Sequence, residues 1–296
     1  MKFYYCLVLA ITFLNLVKSE IDFIRSCTEP KTIALTFDDG PWKYTNELID
    51  YMINQKDVKI TFFQLGRFHY PFAFETEEYQ QAMKRAHDYG FQIASHTYGH
   101  KISNVTEEFD ESLTMMDDLI ERVTGDRPHY FRAPKGECND DCKALLEQRG
   151  YRLIQWDTDT NDWNVEASGS IERRVEDSIN FLKEQFAEER DSYLILMHDT
   201  HNYTVEQIAP WIVEQSGMRE KGYRFVTVAE CLGEKEYMYV SGKNYGEDAI
   251  NNNNNNNVSS IPNVQQNLES SAFIKFKPLS LLLYLNIGLI FTLLFI

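Results

Sequence analysis

About seven short apolar runs, separated by stretches of helical periodicity, constrain this chain more than any other feature. They lie at Thr32–Leu35, Lys59–Gly66, Phe91–Ser95, His129–Arg132, Tyr151–Trp156, Ser192–Met197 and Arg224–Val228. Runs this short, rich in β-branched and aromatic residues and often bounded by Gly or Pro, read as buried strands. Between them, Leu48, Ile49, Met52 and Ile53 recur at helical spacing across Thr45 to Asn54. Leu113, Met116, Leu119, Ile120 and Val123 do the same from Glu107 to Thr124, and that stripe reads as core. Further helices are expected over Glu77–Tyr89, Cys142–Arg149, Ile171–Glu189 and Val205–Gln215, three of the set being stopped by Gly90, Gly125 and Gly150. Alternation of this kind predicts a parallel sheet with helices outside. Periodicity alone leaves a barrel and a doubly wound sheet both open.

The polar residues that follow the strands carry the chemistry. Asp38-Asp39-Gly40-Pro41 closes the first strand with two adjacent carboxylates. It is good turn chemistry on its own. Two like charges in one cleft, however, call for a cation beside them, and a metal ion is the economical one. Ser95-His96-Thr97-Tyr98-Gly99-His100 adds two imidazoles. Its spacing is that of a protease His-x-x-x-His helix, but Thr97 stands where that motif has its glutamate, so a base must come from elsewhere. Two histidines and one carboxylate leave coordination positions open, which is a catalytic arrangement. Arg132 is a permanent cation at a strand end, suited to holding a carboxylate. Asp162, beside Trp163, and His198, which ends an apolar strand, together suggest a carboxylate that raises a histidine's pKa for proton donation. All lie at the C-terminal ends of expected strands, the edge where parallel α/β folds place their sites.

A formal net charge of -16 argues against nucleic acid as a partner. Lys2, the apolar stretch Phe3–Val17 and the small-residue site at Ser19 read as a secretory signal over residues 1–19. A soluble domain is expected over 20–240, and an Asn-rich stalk over 241–270, including the tract Asn251–Asn257. Residues 271–296 end in an apolar tail behind small residues, the pattern of a GPI-anchor signal, with a C-terminal transmembrane helix as the alternative. Beyond the signal, Cys27, Cys138, Cys142 and Cys231 make an even set for an oxidising compartment, with three possible pairings. Cys138 and Cys142 are near enough to close a local loop, or to ligate zinc, and Cys27 and Cys231 could staple the ends of the region. Asn104, Asn202 and Asn257 head glycosylation sequons.

Taken together and in this order, the five stretches around Asp38-Asp39, His96–His100, Arg132–Gly136, Asp159–Trp163 and Leu194–Asp199 resemble the polysaccharide deacetylase family. These are carbohydrate esterases with a NodB-type homology domain, and the chain looks like the secreted chitin deacetylase type. The likeness runs from about Cys27 to Cys231. It implies a distorted (β/α) barrel of about seven parallel strands. It implies a metal, usually Zn²⁺ with Co²⁺ or another divalent transition metal possible, on Asp39, His96 and His100. It implies Asp38 as general base and His198 as general acid, with Arg132 orienting Asp38 and Asp162 tuning His198. Lys135 would give a backbone donor to the oxyanion, where relatives often have Tyr, and Trp163 and Leu196 would wall the acetyl pocket. The pairs Cys27–Cys231 and Cys138–Cys142 are those the likeness implies. The expected activity is deacetylation of chitin or a related N-acetylglucosamine polymer by a monomeric, surface-anchored enzyme facing the cell wall. Peptidoglycan deacetylation and a weakly active wall-binding homologue are the alternatives.

Overall fold

The computed structural model describes residues 21–240. The expected leader, stalk and anchor signal, and the Asn257 sequon, lie outside the described residues. The strands are β1 (Thr32–Asp38), β2 (Thr61–Gln64), β3 (Gln92–Ser95), β4 (Arg127–Pro128), β5 (Tyr130–Phe131), β6 (Arg152–Leu153), β7 (Thr158–Asp159), β8 (Ser192–His198), β9 (Arg224–Phe225) and β10 (Tyr239–Val240). The helices are α1 (Thr45–Asn54), α2 (Glu77–Asp88), α3 (Thr106–Thr124), α4 (Asp140–Gln148), α5 (Val165–Ser168), α6 (Ile171–Ala187) and α7 (Val228–Cys231).

Strand pairing settles what periodicity left open. The parallel sheet follows the order β6-β5-β3-β2-β1-β8-β7, with β9 joined to β1, and curls into a partial barrel. Its two ends, β6 and β7, are not paired, although only residues 154–157 separate them. A link that short holds no crossover helix, and parallel neighbours need a dozen or more residues between them. β7 therefore joins β8 on the opposite edge, and the barrel stays open at that seam. The expected single strand Tyr151–Trp156 is thus shorter, and β7 is a strand that the apolar pattern did not show.

Alternating residues divide the core. Ile33, Leu35 and Phe37 of β1, with Ile195 and Met197 of β8, pack outward in the cluster that includes Leu48, Met52 and Met83 of the helices. Ala34, Leu194, Phe63, Ala94 and Tyr130 form a second cluster. Period-two alternation puts these on the opposite, inner face of the sheet. Each fully buried Leu, Ile or Phe contributes about 1.5–3 kcal/mol. α3 ends at Gly125, whose φ of 91° closes the last turn as few other residues do without strain.

Two other expectations need adjusting. The expected helix Val205–Gln215 is present, inside a helical stretch over 202–215, but two of its turns, Thr204–Ile208 and Trp211–Gln215, are π-helical. The expected strand Arg224–Val228 stops early because Thr227 and Glu230 form a capping box that starts α7. At the end of the described residues β10 pairs antiparallel with β4.

Both disulfides of the resemblance are present, Cys27–Cys231 across 204 residues and Cys138–Cys142 locally, which removes the zinc alternative for the second pair. The first lies ahead of β1, where Thr28 and Glu29 N–H donate to the Cys231 carbonyl. It therefore closes the edge where the strands begin, and β10 sits just ahead of β5 on that same edge.

Candidate metal and catalytic centre

The opposite edge, where the strands end, gathers the polar residues. Asp38 ends β1 and His198 ends β8, and the two are register partners in the paired strands. His96 directly follows β3 and Arg132 directly follows β5.

Asp38 and Arg132 are both buried. Arg132 Nη1 donates to Asp38 Oδ1 at 2.7 Å and to Thr36 Oγ1 at 2.7 Å, while Nη2 donates to the Gln155 carbonyl at 2.9 Å. The guanidinium also lies 4.0 Å from the Phe63 ring centroid. Burial pulls the Arg132 pKa down and the Asp38 charge opposes it. The guanidinium pKa starts so far above neutrality that Arg132 stays charged.

Asp39 follows with a left-handed φ of 73°, and both carboxylates approach His96 Nε2, Asp38 Oδ2 at 3.8 Å. Asp39 Oδ1 lies 3.4 Å from His96 Nε2 and 3.3 Å from His100 Nε2. One ligand atom from each of the three falls within 4.8 Å of the others. His96 Nδ1 is 2.7 Å from the Arg132 carbonyl, an acceptor only, so Nδ1 is the protonated nitrogen and Nε2 is the one turned to Asp39. Asp39 Oδ1 is buried and has no well-formed hydrogen bond among the described residues. A carboxylate oxygen and two imidazole nitrogens converging this closely fit a cation, and this donor set suits zinc-like metals. Burial raises the Asp39 pKa, but the neighbouring histidines, His96 foremost, outweigh it and hold the carboxyl well below its usual range. Burial keeps His100 below its ordinary value against the pull of Asp39. The segment carrying the two histidines is a turn, not the helix of the protease motif, and Thr97 and His100 have φ of 73° and 55°.

On the other side, His198 Nδ1 is 2.8 Å from Asp162 Oδ1, and the His198 N–H donates to Asp162 Oδ2 at 2.7 Å. Burial alone lowers the His198 pKa, but Asp162, with Asp39 and Asp38 beyond it, outweighs burial and pushes it up to about 10. Burial likewise raises Asp162, and His198 reverses the sign. Two residues that the motifs did not show complete this side. Thr204 Oγ1 donates to Asp162 Oδ2 at 2.8 Å and Tyr203 Oη donates to the Asp162 carbonyl at 2.7 Å. Both belong to the Asn202 sequon, which hid them.

Leu196 is buried two residues before His198, on the same face of β8, and Trp163 is 52% exposed next to Asp162. Lys135 is exposed, with φ of 58°, on the turn after Arg132. His201 stacks on Tyr203 and lies 6.1 Å from the His198 ring, at the margin of the site. Trp42 stacks on His69, and Phe68, 42% exposed, lies 4.6 Å from His100. Asn104 and Asn202 are exposed.

A polysaccharide deacetylase family model matches residues 25–154. The chain is 33% identical over 214 residues to a chitin deacetylase of Colletotrichum lindemuthianum, covering 71% of this chain and 83% of that protein. It is 32% identical to a probable peptidoglycan-N-acetylglucosamine deacetylase of Arthroderma benhamiae, over 71% of this chain but 46% of that protein. The solved structure of the Colletotrichum lindemuthianum chitin deacetylase superposes with a TM-score of 0.68 at 29% identity, covering 76% of this chain and 98% of that one.

Proposed function

The chain belongs to the polysaccharide deacetylase family, and from that premise we propose that it hydrolyses the N-acetyl groups of N-acetylglucosamine units in chitin, leaving acetate and free glucosamine units. The observation that carries the reading is the facing pair Asp38 and His198 beside the three converging ligand atoms of Asp39, His96 and His100.

Asp39, His96 and His100 hold a divalent metal, zinc in this reading, which when bound polarises the acetyl carbonyl and lowers the pKa of water. Asp38 takes a proton from the attacking water as its oxygen joins the carbonyl carbon. Arg132 holds Asp38 in place through its Nη1 hydrogen bond to Oδ1. The Lys135 N–H donates to the carbonyl oxygen as negative charge develops there. His198, its Nδ1 engaged by Asp162, donates from Nε2 to the leaving nitrogen as the C–N bond breaks. Leu196 and Trp163 flank the acetyl methyl.

The two disulfides support an oxidising, extracellular setting. The lipid anchor and the monomeric state belong to this proposal as well. Among the described residues no helix is long and apolar enough to cross a membrane. Peptidoglycan is the second reading, favoured by relatives of that name. Acetate release from chitin oligomers, measured after chelation and again after added Zn²⁺ or Co²⁺, tests the proposal. Loss and recovery are expected; no acetate from folded, metal-loaded protein would overturn it. Release from peptidoglycan alone would move the substrate to the second reading.

A further inference from the structure

One strand end fixes more than the proton donor. Asp199 follows His198, is fully buried, and has no place in the steps above. Its Oδ2 accepts from Thr45 Oγ1 at 2.5 Å, and Thr45 begins α1. The same Thr45 oxygen accepts from the Trp42 N–H at 2.8 Å, so its single proton goes to Asp199. The carboxylate also lies flat against Gly40, where an added Cβ would meet Asp199 Oδ2 at 2.4 Å and Oδ1 at 2.6 Å. The Gly40 carbonyl in turn accepts from Leu65 N–H at 2.8 Å. Asp199 therefore touches the turn just after Asp39 and the start of the helix that the turn leads into.

Asp39 needs such support. A non-glycine residue at positive φ is strained and persists only where its surroundings over-determine it. We propose that Asp199, acting through Thr45 and the Gly40 backbone, is a positioning residue that sets Asp39 Oδ1 at its distance from His96 and His100. It contacts no substrate. It couples the two halves of the centre, because the strand end that presents His198 also fixes the turn that presents a metal ligand. The inference rests on the metal reading of the previous subsection.

The test compares wild type with Asp199→Asn, Thr45→Val and Thr45→Ser. Zinc affinity is read by competition with a chelating dye, the thermal midpoint on metal-free protein, and kcat and KM at saturating zinc. Outer-shell partners of metal ligands typically carry about 10- to 100-fold in affinity. Asp199→Asn and Thr45→Val should lose zinc affinity on that scale, with kcat reduced, KM unchanged and Thr45→Ser close to wild type. Should Asp199→Asn fail to fold, the Thr45 pair decides. Wild-type zinc affinity in folded Thr45→Val, or a lowered metal-free midpoint with affinity intact, would overturn the proposal and make Asp199 a packing residue. Wild-type protein that binds zinc but releases no acetate would overturn only the proposed function; protein that binds no zinc would overturn both.

Discussion

Asp162 and Asp117 are buried to nearly the same depth, 0% and 3% exposed, and each has several partners. Asp117, on α3, accepts from Tyr151 Oη and from Arg127 Nη2 at 3.1 Å, with Arg149 Nη1 at 3.6 Å. Burial pushes its carboxyl up to about 6 despite Tyr151 and both arginines. Arg127 rises through the same contact, so the attraction is present without cancelling the cost of desolvation. At Asp162 the balance falls the other way. A perturbed, buried carboxylate is thus a poor marker of a site on its own. What separates the two is the partner. His198 carries a proton it can hand to a leaving group and sits at the ends of the strands, whereas the arginines and tyrosine around Asp117 tie α3 to the chain near β4, α4 and β6.

That contrast can be broken in several ways. The largest effect expected is on turnover: Asp38→Asn should lower acetate release by about 10²- to 10⁴-fold, the usual share of a general base. Asp117→Ala should leave turnover per folded molecule unchanged. If it removed activity at a temperature where the protein is folded, the division into catalytic and structural networks would fail. On stability the ranking reverses. Arg127 keeps Asp118 and Glu121 and Arg149 keeps Asp110, but Asp117→Ala leaves the buried Tyr151 hydroxyl without its acceptor and should cost about 1–3 kcal/mol in denaturant unfolding.

A third variant, Asp162→Asn, sharpens the acid side. With its pKa raised to about 10, His198 keeps its proton at neutral pH and loses it only as pH rises through that value. Without the Asp162 charge, burial is opposed only by Asp39 and Asp38, so the alkaline limb of kcat should move to lower pH. An unmoved limb would remove His198 as the donor. Thr204→Val should act in the same direction but least, lowering kcat by about tenfold, the low end for one hydrogen bond to a charged group.

How much of this was legible depends on distance along the chain. Asp38-Asp39 and His96–His100 could be read because each set is local and follows an apolar run. Thr36, Thr204 and Tyr203 could not, because they meet Arg132 and Asp162 only through the fold. Thr204 also carried a competing meaning as part of a sequon. Asp199 was visible as a residue but not as a support, since its partners lie 154 residues away at Thr45 and across the sheet at Gly40. The break between β6 and β7 was hidden by an apolar run that continues through Ile154.

The Cys27–Cys231 clasp and the β10–β4 pair lie where the strands start, so the described chain enters and leaves by the floor of the barrel while the centre opens at its roof. A bead or sensor chip coupled through residue 240 would leave the roof clear for a long, insoluble fibre. The same coupling made through the loops around Trp42 or Trp163 would cover it.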